Sequence, residues 1–411
     1  MATSWEYRYA QRTKGMQSSV IREILKVASQ PDVIHLAGGM PAPELFPLEE
    51  VAQACLRVLD NRGSDALQYS ITEGYPLLRQ FIVDKMSRYG IVASVDNVLI
   101  TSGSQQALDL VGKVLIDPGD VIIAGAPTYV GAIQAFTAYQ ASFASVPLDD
   151  EGMMVDLLEE RIIQTHPKFV YVLPNFHNPG GVTLSLERRE RLVSLAGQYG
   201  VPVIEDDPYG ELRFEGEHVP PIVVIDATRN GDQPEGYFKG DVIYMSTFSK
   251  TLAPGLRLGW IVAPVEVVKK LAQAKQGTDL HTSTFNQMLA YEVVADGFLD
   301  EHVREIRDVY RQRRDAMLAA MERYFPEGVT WTRPQGGLFL WVKLPKGTDC
   351  RELLEEAIEQ KVAFVPGTAF YADGRGHDSL RLTFSYCPTE TIEEGIRRLG
   401  TVIARRTRKA A

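Results

Sequence analysis

The sequence predicts an α/β fold: a mostly parallel central sheet with helices on both faces, together with a smaller α+β domain. Three observations carry that prediction. Short, continuous apolar runs alternate with amphipathic stretches between residues 97 and 250, the pattern of strands buried on both faces and their crossover helices. Polar and glycine-rich groups follow the carboxyl ends of those runs, where open parallel sheets gather their ligands. At 411 residues the chain exceeds what one core usually organises, so a second domain is expected.

Composition narrows the function classes. Hydrophobic residues make up 45% and charged residues 23%, as in an ordinary soluble globular protein. A formal net charge of −10 argues against a nucleic-acid or anionic-membrane partner, since such surfaces need clustered Lys and Arg. The one basic run, Arg405-Arg406-Thr407-Arg408-Lys409, suits the negative pole at the end of a helix. Cys55, Cys350 and Cys387 are far apart, with no Cys-x-x-Cys, which fits a reduced compartment and gives no reason to expect a metal. The N-terminal residues lack the apolar core of a signal peptide, and no apolar run is long enough to span a bilayer. A soluble, cytoplasmic protein is expected.

Taken in order, residues 18–27 place apolar positions 20, 21, 24, 25 and 27 on one face of a short helix, with Arg22 off that face. A brief strand at residues 34–36 ends in Gly38-Gly39-Met40-Pro41, where the glycine pair lets backbone approach a ligand. Helices are predicted at 47–62 and 76–89, with Tyr69 between them. Residues 97–101 read as a strand, and Ser102-Gly103-Ser104-Gln105-Gln106 turns into a helix that runs to about residue 116. Such a helix start offers unpaired N–H groups and a positive dipole end to an anion. The Rossmann glycine pattern and the P-loop are both missing, which disfavours a nucleotide.

Strands are predicted next at 120–124, 143–147, 169–173 and 201–205, with helices at 128–139, 155–164 and 186–199. The run Val242-Ile243-Tyr244-Met245 is a further strand, and it delivers Ser246-Thr247-Phe248-Ser249-Lys250. Beyond it, the C-terminal third supplies a long helix at 297–324, strands at 329–332, 337–343, 362–366 and 380–385, and helices at 351–360 and 389–406. Gly336-Gly337 and Gly374-Arg375-Gly376 read as turns.

The groups at the strand ends suit one chemistry. Lys250 is an amine at the end of a strand, and Thr247, Ser249 and Arg257 offer donors to a phosphate. Asp206 can keep a pyridine nitrogen protonated, Asn178 and Tyr209 can donate to a phenolate oxygen, and Tyr129 can stack on a ring. Each residue alone also serves as a turn, a cap or packing. Together, each after its own strand, they point to a lysine that forms a Schiff base with pyridoxal 5'-phosphate.

On these residues the chain resembles the fold-type I aminotransferases of class I, and in particular the branch of 2-aminoadipate and kynurenine aminotransferases. The resemblance runs from Ser19 to about Leu399 and is most specific at Leu36-Ala37-Gly38-Gly39-Met40-Pro41, Leu67-Gln68-Tyr69-Ser70, Gly103-Ser104-Gln105-Gln106, Ile204-Glu205-Asp206-Asp207-Pro208-Tyr209, Ser249-Lys250 and Ser379-Leu380-Arg381-Leu382. The usual Asn-Pro-Thr-Gly stands here as Asn178-Pro179-Gly180-Gly181, which keeps the asparagine. The resemblance implies that Lys250 is the covalent and proton-moving residue. It assigns the phosphate to Ser104, Gln105, Thr247, Ser249 and Arg257, with Tyr69 reaching in from the neighbouring subunit of a homodimer. Tyr129 is to stack, Asn178 and Tyr209 to bind the phenolate oxygen, and Asp206 the ring nitrogen. Arg381 is to grip the substrate α-carboxylate, Gly39, Asn178 and Tyr69 to help hold substrate, and Arg22 to read a distal carboxylate. The implied reaction is ping-pong transfer of an amino group from 2-aminoadipate, glutamate, or a branched-chain or aromatic amino acid to a 2-oxo acid such as 2-oxoglutarate, with a place in lysine biosynthesis. The implied organisation is an N-terminal segment, 1–47, completing the small domain, a large cofactor domain over 48–290 and a small C-terminal domain over 291–411. Two alternatives remain: a pyridoxal-dependent β-lyase or decarboxylase, which uses much the same residues, and the non-catalytic effector-binding domain of a transcription regulator built on this fold.

Overall fold

The computed structural model describes the backbone of residues 3–16, 24, 30, 32–229 and 238–410. The predicted helix at 18–27, Arg22 included, lies outside the described residues apart from Ile24. The first strand, β1 (Ile34–His35), belongs to a separate small pairing described below. The main sheet then assembles from β2 (Val98–Thr101), β3 (Val121–Ala126), β4 (Ser142–Asp149), β5 (Gly152–Met153), β6 (Val170–Val172), β7 (Val203–Asp206), β8 (Val242–Thr247) and β9 (Gly259–Val262). Their order across the sheet is β2-β9-β8-β7-β6-β3-β4-β5.

The pairing from β4 through β3, β6 and β7 to β8 is parallel throughout. These central strands are apolar on both faces because helices cover both: every residue of β2, β6, β7 and β8 is buried. β9 is antiparallel to β8, and β2 is antiparallel to β9, so β2 again runs with the parallel set. Six strands thus deliver their carboxyl ends to one edge, and five of them, β2, β3, β6, β7 and β8, place the residues after 101, 126, 172, 206 and 247 there.

The crossover through β9 also brings backbone close to the turn that precedes Ser104. A Cβ on Gly259 would stand 2.8 Å from both the Gly103 carbonyl carbon and the Ser104 nitrogen, so only glycine fits.

The second layer of structure contains β10 (Thr330–Trp331), β11 (Phe339–Lys343), β12 (Val362–Ala363), β13 (Val365–Pro366) and β14 (Ser379–Thr383). Its antiparallel sheet has the order β10-β11-β14-β13, while β12 pairs in parallel with β1 and ties the N-terminal segment to the C-terminal part. One core joins Leu36 and Ala42 to Met317, Met321, Leu340, Leu382, Ile396 and Leu399. The long helix Phe298–Tyr324 bridges two cores: Leu299 and Val303 pack with the main sheet, whereas Ile306 and Tyr310 pack with the C-terminal one.

The structure adds elements that the sequence reading did not anticipate. These are β5, β9 and the helices Ile222–Arg229, Val265–Gln276 and Thr284–Val294. The helix beginning at Leu48 also runs on to Ala66, past a non-helical Arg62. Gly336 is more than a turn residue, since a Cβ there would overlap the Leu212 carbonyl oxygen and the Phe176 ring. Among the described residues no helix is long and apolar enough to cross a membrane.

Candidate active site

At the carboxyl edge of the main sheet lies a cleft of about 1110 Å³. Its walls include Gly39, Ser104, Gln105, Tyr129, Asn178, Asp206, Tyr209, Thr247, Ser249, Lys250, Arg257 and Arg381, so twelve of the fourteen residues singled out from the sequence meet in one place. The other two are Arg22, outside the described residues, and Tyr69. The Tyr69 side chain is 79% exposed and meets His281 edge-on at 5.9 Å. Within one chain it does not reach the cleft.

Lys250 follows β8 by three residues, and its Nζ donates to the Gly39 carbonyl oxygen at 2.8 Å. Burial, then the neighbouring charges of Arg381 and Arg257, lowers its pKa from 10.5 to about 8. A neutral amine is the nucleophile, and the cleft makes it accessible near neutral pH. The Gly39 carbonyl, supplied by the segment that precedes the main sheet, aims the amine across the cleft.

Asp206 ends β7. Its Oδ2 accepts from the Tyr171 hydroxyl at 2.7 Å, while its buried Oδ1 has no partner among the described residues. Burial raises this carboxyl from 3.8 to about 7, against the Tyr171 hydrogen bond that lowers it, with Asp207 adding a further rise. An orphaned carboxylate oxygen of this kind calls for a cationic N–H donor. Tyr171 was not among the residues expected here, because it sits inside β6 and reads as core. Tyr129 is half-buried, its hydroxyl is pushed up to about 12 by desolvation so that it stays neutral, and it lines the cleft.

Arg381 projects from β14 and crosses to the main sheet. Its Nη1 donates to Asn178 Oδ1 at 2.8 Å and its Nη2 to the Ala37 carbonyl at 2.7 Å. The guanidinium carbon stands 4.1 Å from the Phe339 ring centre and 4.8 Å from that of Phe370. Burial lowers its pKa to about 10, and its buried Nε has no partner among the described residues. Asn178 also hydrogen-bonds Tyr209, whose hydroxyl is pushed up by burial. Neither Ala37 nor the two phenylalanines were anticipated from sequence.

The remaining groups form a cradle at the β2 and β8 ends. Thr247 Oγ1 donates to the Leu258 carbonyl at 2.8 Å and lies 2.9 Å from Ser249 Oγ, while the Ser249 N–H donates back to Thr247 Oγ1 at 3.1 Å. Gln105 Nε2 donates to the Gly131 carbonyl at 3.1 Å. Arg257 takes a left-handed conformation, φ 53°, that carries it over this cradle, within van der Waals reach of Gly103. Among the described residues, Lys250, Arg257, Arg351 and Arg381 are the cations lining the cleft and Asp206 the one acid. The site attracts anions although the chain as a whole is negative.

The family model for aminotransferase class I and II matches residues 31–399. The chain belongs to the class I and II aminotransferases. This aminotransferase is 47% identical to the aromatic-amino-acid aminotransferase 1 of Thermococcus litoralis, over 98% of this chain and 96% of that protein. It superimposes with a TM-score of 0.92 on the multiple substrate aminotransferase of Thermococcus profundus, at 45% identity over 99% of this chain and 100% of the other. With the alpha-aminoadipate aminotransferase of Thermus thermophilus, solved in complex with N-(5'-phosphopyridoxyl)-L-leucine, the TM-score is 0.91, at 43% identity over 99% and 100% of the two chains. The protein is therefore a pyridoxal-phosphate-dependent transaminase of the aminoadipate and kynurenine branch. The residues present fit that cofactor: the unpaired Asp206 Oδ1 suits a pyridinium N–H, and the depressed lysine suits an aldehyde.

Proposed function

We propose that this aminotransferase works by a ping-pong cycle on an L-amino acid and a 2-oxo acid, with the cofactor held as the cleft geometry suggests. The observation that carries the reading is the convergence of Lys250, the unpaired Oδ1 of Asp206 and Arg381 on one cleft. Bound pyridoxal phosphate supplies an aldehyde that condenses with amines and a protonated ring that draws off the electron pair released at Cα. Ser104, Gln105, Thr247, Ser249 and Arg257 hold the phosphate, and Asp206 holds the ring nitrogen's proton. Tyr129 stacks on the ring, and Asn178 and Tyr209 donate to the phenolate oxygen. With the cofactor bound, Lys250 would be the residue that joins its aldehyde, and its Nζ would hold and move the proton at the substrate Cα. Arg381 clamps the α-carboxylate and Gly39 lines the substrate side, so both ends of the reacting bond are fixed.

The substrate class follows from the walls. Tyr129, Ile133 and Phe339 offer apolar surface to leucine or an aromatic donor, while the surplus of cations favours 2-aminoadipate, glutamate and 2-oxoglutarate. Relatives whose names cite aromatic, multiple and aminoadipate substrates support that breadth. Arg22 is the proposed reader of a distal carboxylate. A homodimer is supported by the exposed apolar groups Leu67 at 76% and Ile71 at 48% that flank Tyr69, which a second copy would cover. In it, Tyr69 reaches the neighbouring cofactor phosphate. The division into 1–47, 48–290 and 291–411 lets the small domain, which carries Arg381, close over bound substrate and exclude water.

The test is a half-reaction. Holoenzyme is mixed with one donor at a time, among them 2-aminoadipate, glutamate, leucine and phenylalanine, with no oxo acid added, and the released oxo acid is counted. One equivalent per site, with a matching change in cofactor absorbance, is expected. Continuous product release without an acceptor refutes the ping-pong reading and points to lyase chemistry.

A further inference from the structure

Behind the Ser102–Gln106 turn lies a buried cation that none of the roles above uses. Lys275, near the end of the helix Val265–Gln276, has a side chain with 0% exposure. Its Nζ donates to Gln106 Oε1 at 2.7 Å, to both Asp279 carboxylate oxygens at 2.9 Å and to Thr282 Oγ1 at 2.9 Å. Gln106 Oε1 also accepts the Ser102 backbone N–H at 2.7 Å. Gln106 Nε2 and Ser102 Oγ both donate to Asp279 Oδ2, at 2.7 and 3.1 Å. The turn is thereby gripped at each end: at Ser102 through its N–H and hydroxyl, and at Gln106 through its whole amide. Between those grips lie Gly103, Ser104 and Gln105.

A buried ion pair is a poor way to gain stability, since well-packed apolar groups of the same volume do as well or better. Its gain here is geometric. A hydrophobic residue at 275 could not fix the orientation of the Gln106 amide, whose oxygen and nitrogen both point away from the cleft toward this network. The first turn of the helix Ser104–Leu115 would then lose the frame that aims its free N–H groups at one point.

We propose that Lys275 is a positioning residue for the cofactor phosphate, acting with Asp279 and Gln106 to hold the Ser102–Gln106 turn in its anion-binding shape. The inference rests on the reading that this turn takes the phosphate. Its test compares two ligands on cofactor-free protein: pyridoxal 5'-phosphate and pyridoxal, which lacks the phosphate. Dissociation constants are read from the absorbance of bound ligand for wild type, Lys275→Met, Gln106→Leu and Ser104→Ala. Gln106→Leu is the milder second variant should Lys275→Met not fold. Loss of one charge-assisted bond predicts about tenfold weaker binding of pyridoxal phosphate for Lys275→Met and Gln106→Leu, with pyridoxal changed less than about twofold. Equal weakening of both ligands overturns the proposal, because a general packing defect does not discriminate between them. Selective loss in Ser104→Ala without any in Lys275→Met or Gln106→Leu overturns the role of Lys275 and leaves the phosphate turn standing. No selective loss in Ser104→Ala removes the phosphate reading and the proposal together.

Discussion

Replacing Lys250 by methionine in the cofactor-free protein isolates what it costs to keep a reactive amine in this cleft. The amine is lowered from 10.5 to about 8 by burial, then by Arg381 and Arg257. Between those two values the unfolded chain holds a proton that the folded chain does not, so the stability of wild type relative to the variant rises with pH in that interval. Below it both states are protonated and the penalty is full and constant. Integrating the shift from pH 7.5 to 9.5 gives about 2 kcal/mol. Tyr129, held near 12, and Tyr209, also pushed up by burial, remain neutral over that range in both proteins. The lost bond from Nζ to the Gly39 carbonyl adds an offset but little slope. Urea unfolding of both proteins without cofactor, at pH 7.5, 8.5 and 9.5, is the assay. The stability difference should move toward wild type by about 2 kcal/mol across the range. A difference that is flat, or that falls with pH, refutes the reasoning. The same depression suits the role proposed for Lys250: with a pKa of about 8, roughly a quarter of the amine is neutral at pH 7.5, against about one part in a thousand for a pKa of 10.5.

Two further substitutions separate stability from cofactor binding. Asp206→Asn should raise the unfolding midpoint of the cofactor-free protein above pH 7, because a carboxyl lifted by burial to about 7 costs stability once it ionises, yet it should weaken pyridoxal phosphate binding by about tenfold or more. Midpoints and binding constants that move in the same direction would count against the assignment. Gly336→Ala should destabilise by about 1–3 kcal/mol in urea unfolding, since the added methyl meets the Leu212 carbonyl and the Phe176 ring, and an unchanged midpoint would disprove that close approach.

Legibility in the sequence followed locality. The strands that carry the site were readable because each is a continuous apolar run bounded by turn residues, and Ser104, Asn178, Asp206, Tyr209 and Lys250 follow such runs directly. β9 was not, being four residues long, opened by Gly259 and joined to the loop that carries Arg257. The helix Thr284–Val294 buries residues on most sides, including Thr284, Gln287, Met288 and Val293, so no polar face gave it a period. On the helix Val265–Gln276 the buried side is Val268, Leu271, Ala272 and Lys275, and a lysine on the inner stripe disguises it as surface. Nothing in the sequence distinguishes a solvated lysine from one held by Gln106, Asp279 and Thr282.

The unread part of the site is the part that needs neighbouring strands, or two sheets, at once. Tyr171 looks like core until the parallel register of β6 on β7 sets its hydroxyl against Asp206. Arg381 was assigned by resemblance alone, and its surroundings come from four separate segments: Ala37, Asn178, and the rings of Phe339 and Phe370. Those contacts bear on how substrate is taken up. The guanidinium gives one N–H of Nη1 to Asn178 and one of Nη2 to Ala37, so an arriving carboxylate takes the remaining Nη hydrogens and the Nε–H, which has no partner among the described residues, or displaces one of these acceptors. Displacing Asn178 frees its amide oxygen and alters its bond to Tyr209, the other proposed ligand of the phenolate oxygen. With the roles proposed for Arg381 and Asn178, binding of substrate at Arg381 and the polarity of the cofactor ring are linked through Asn178.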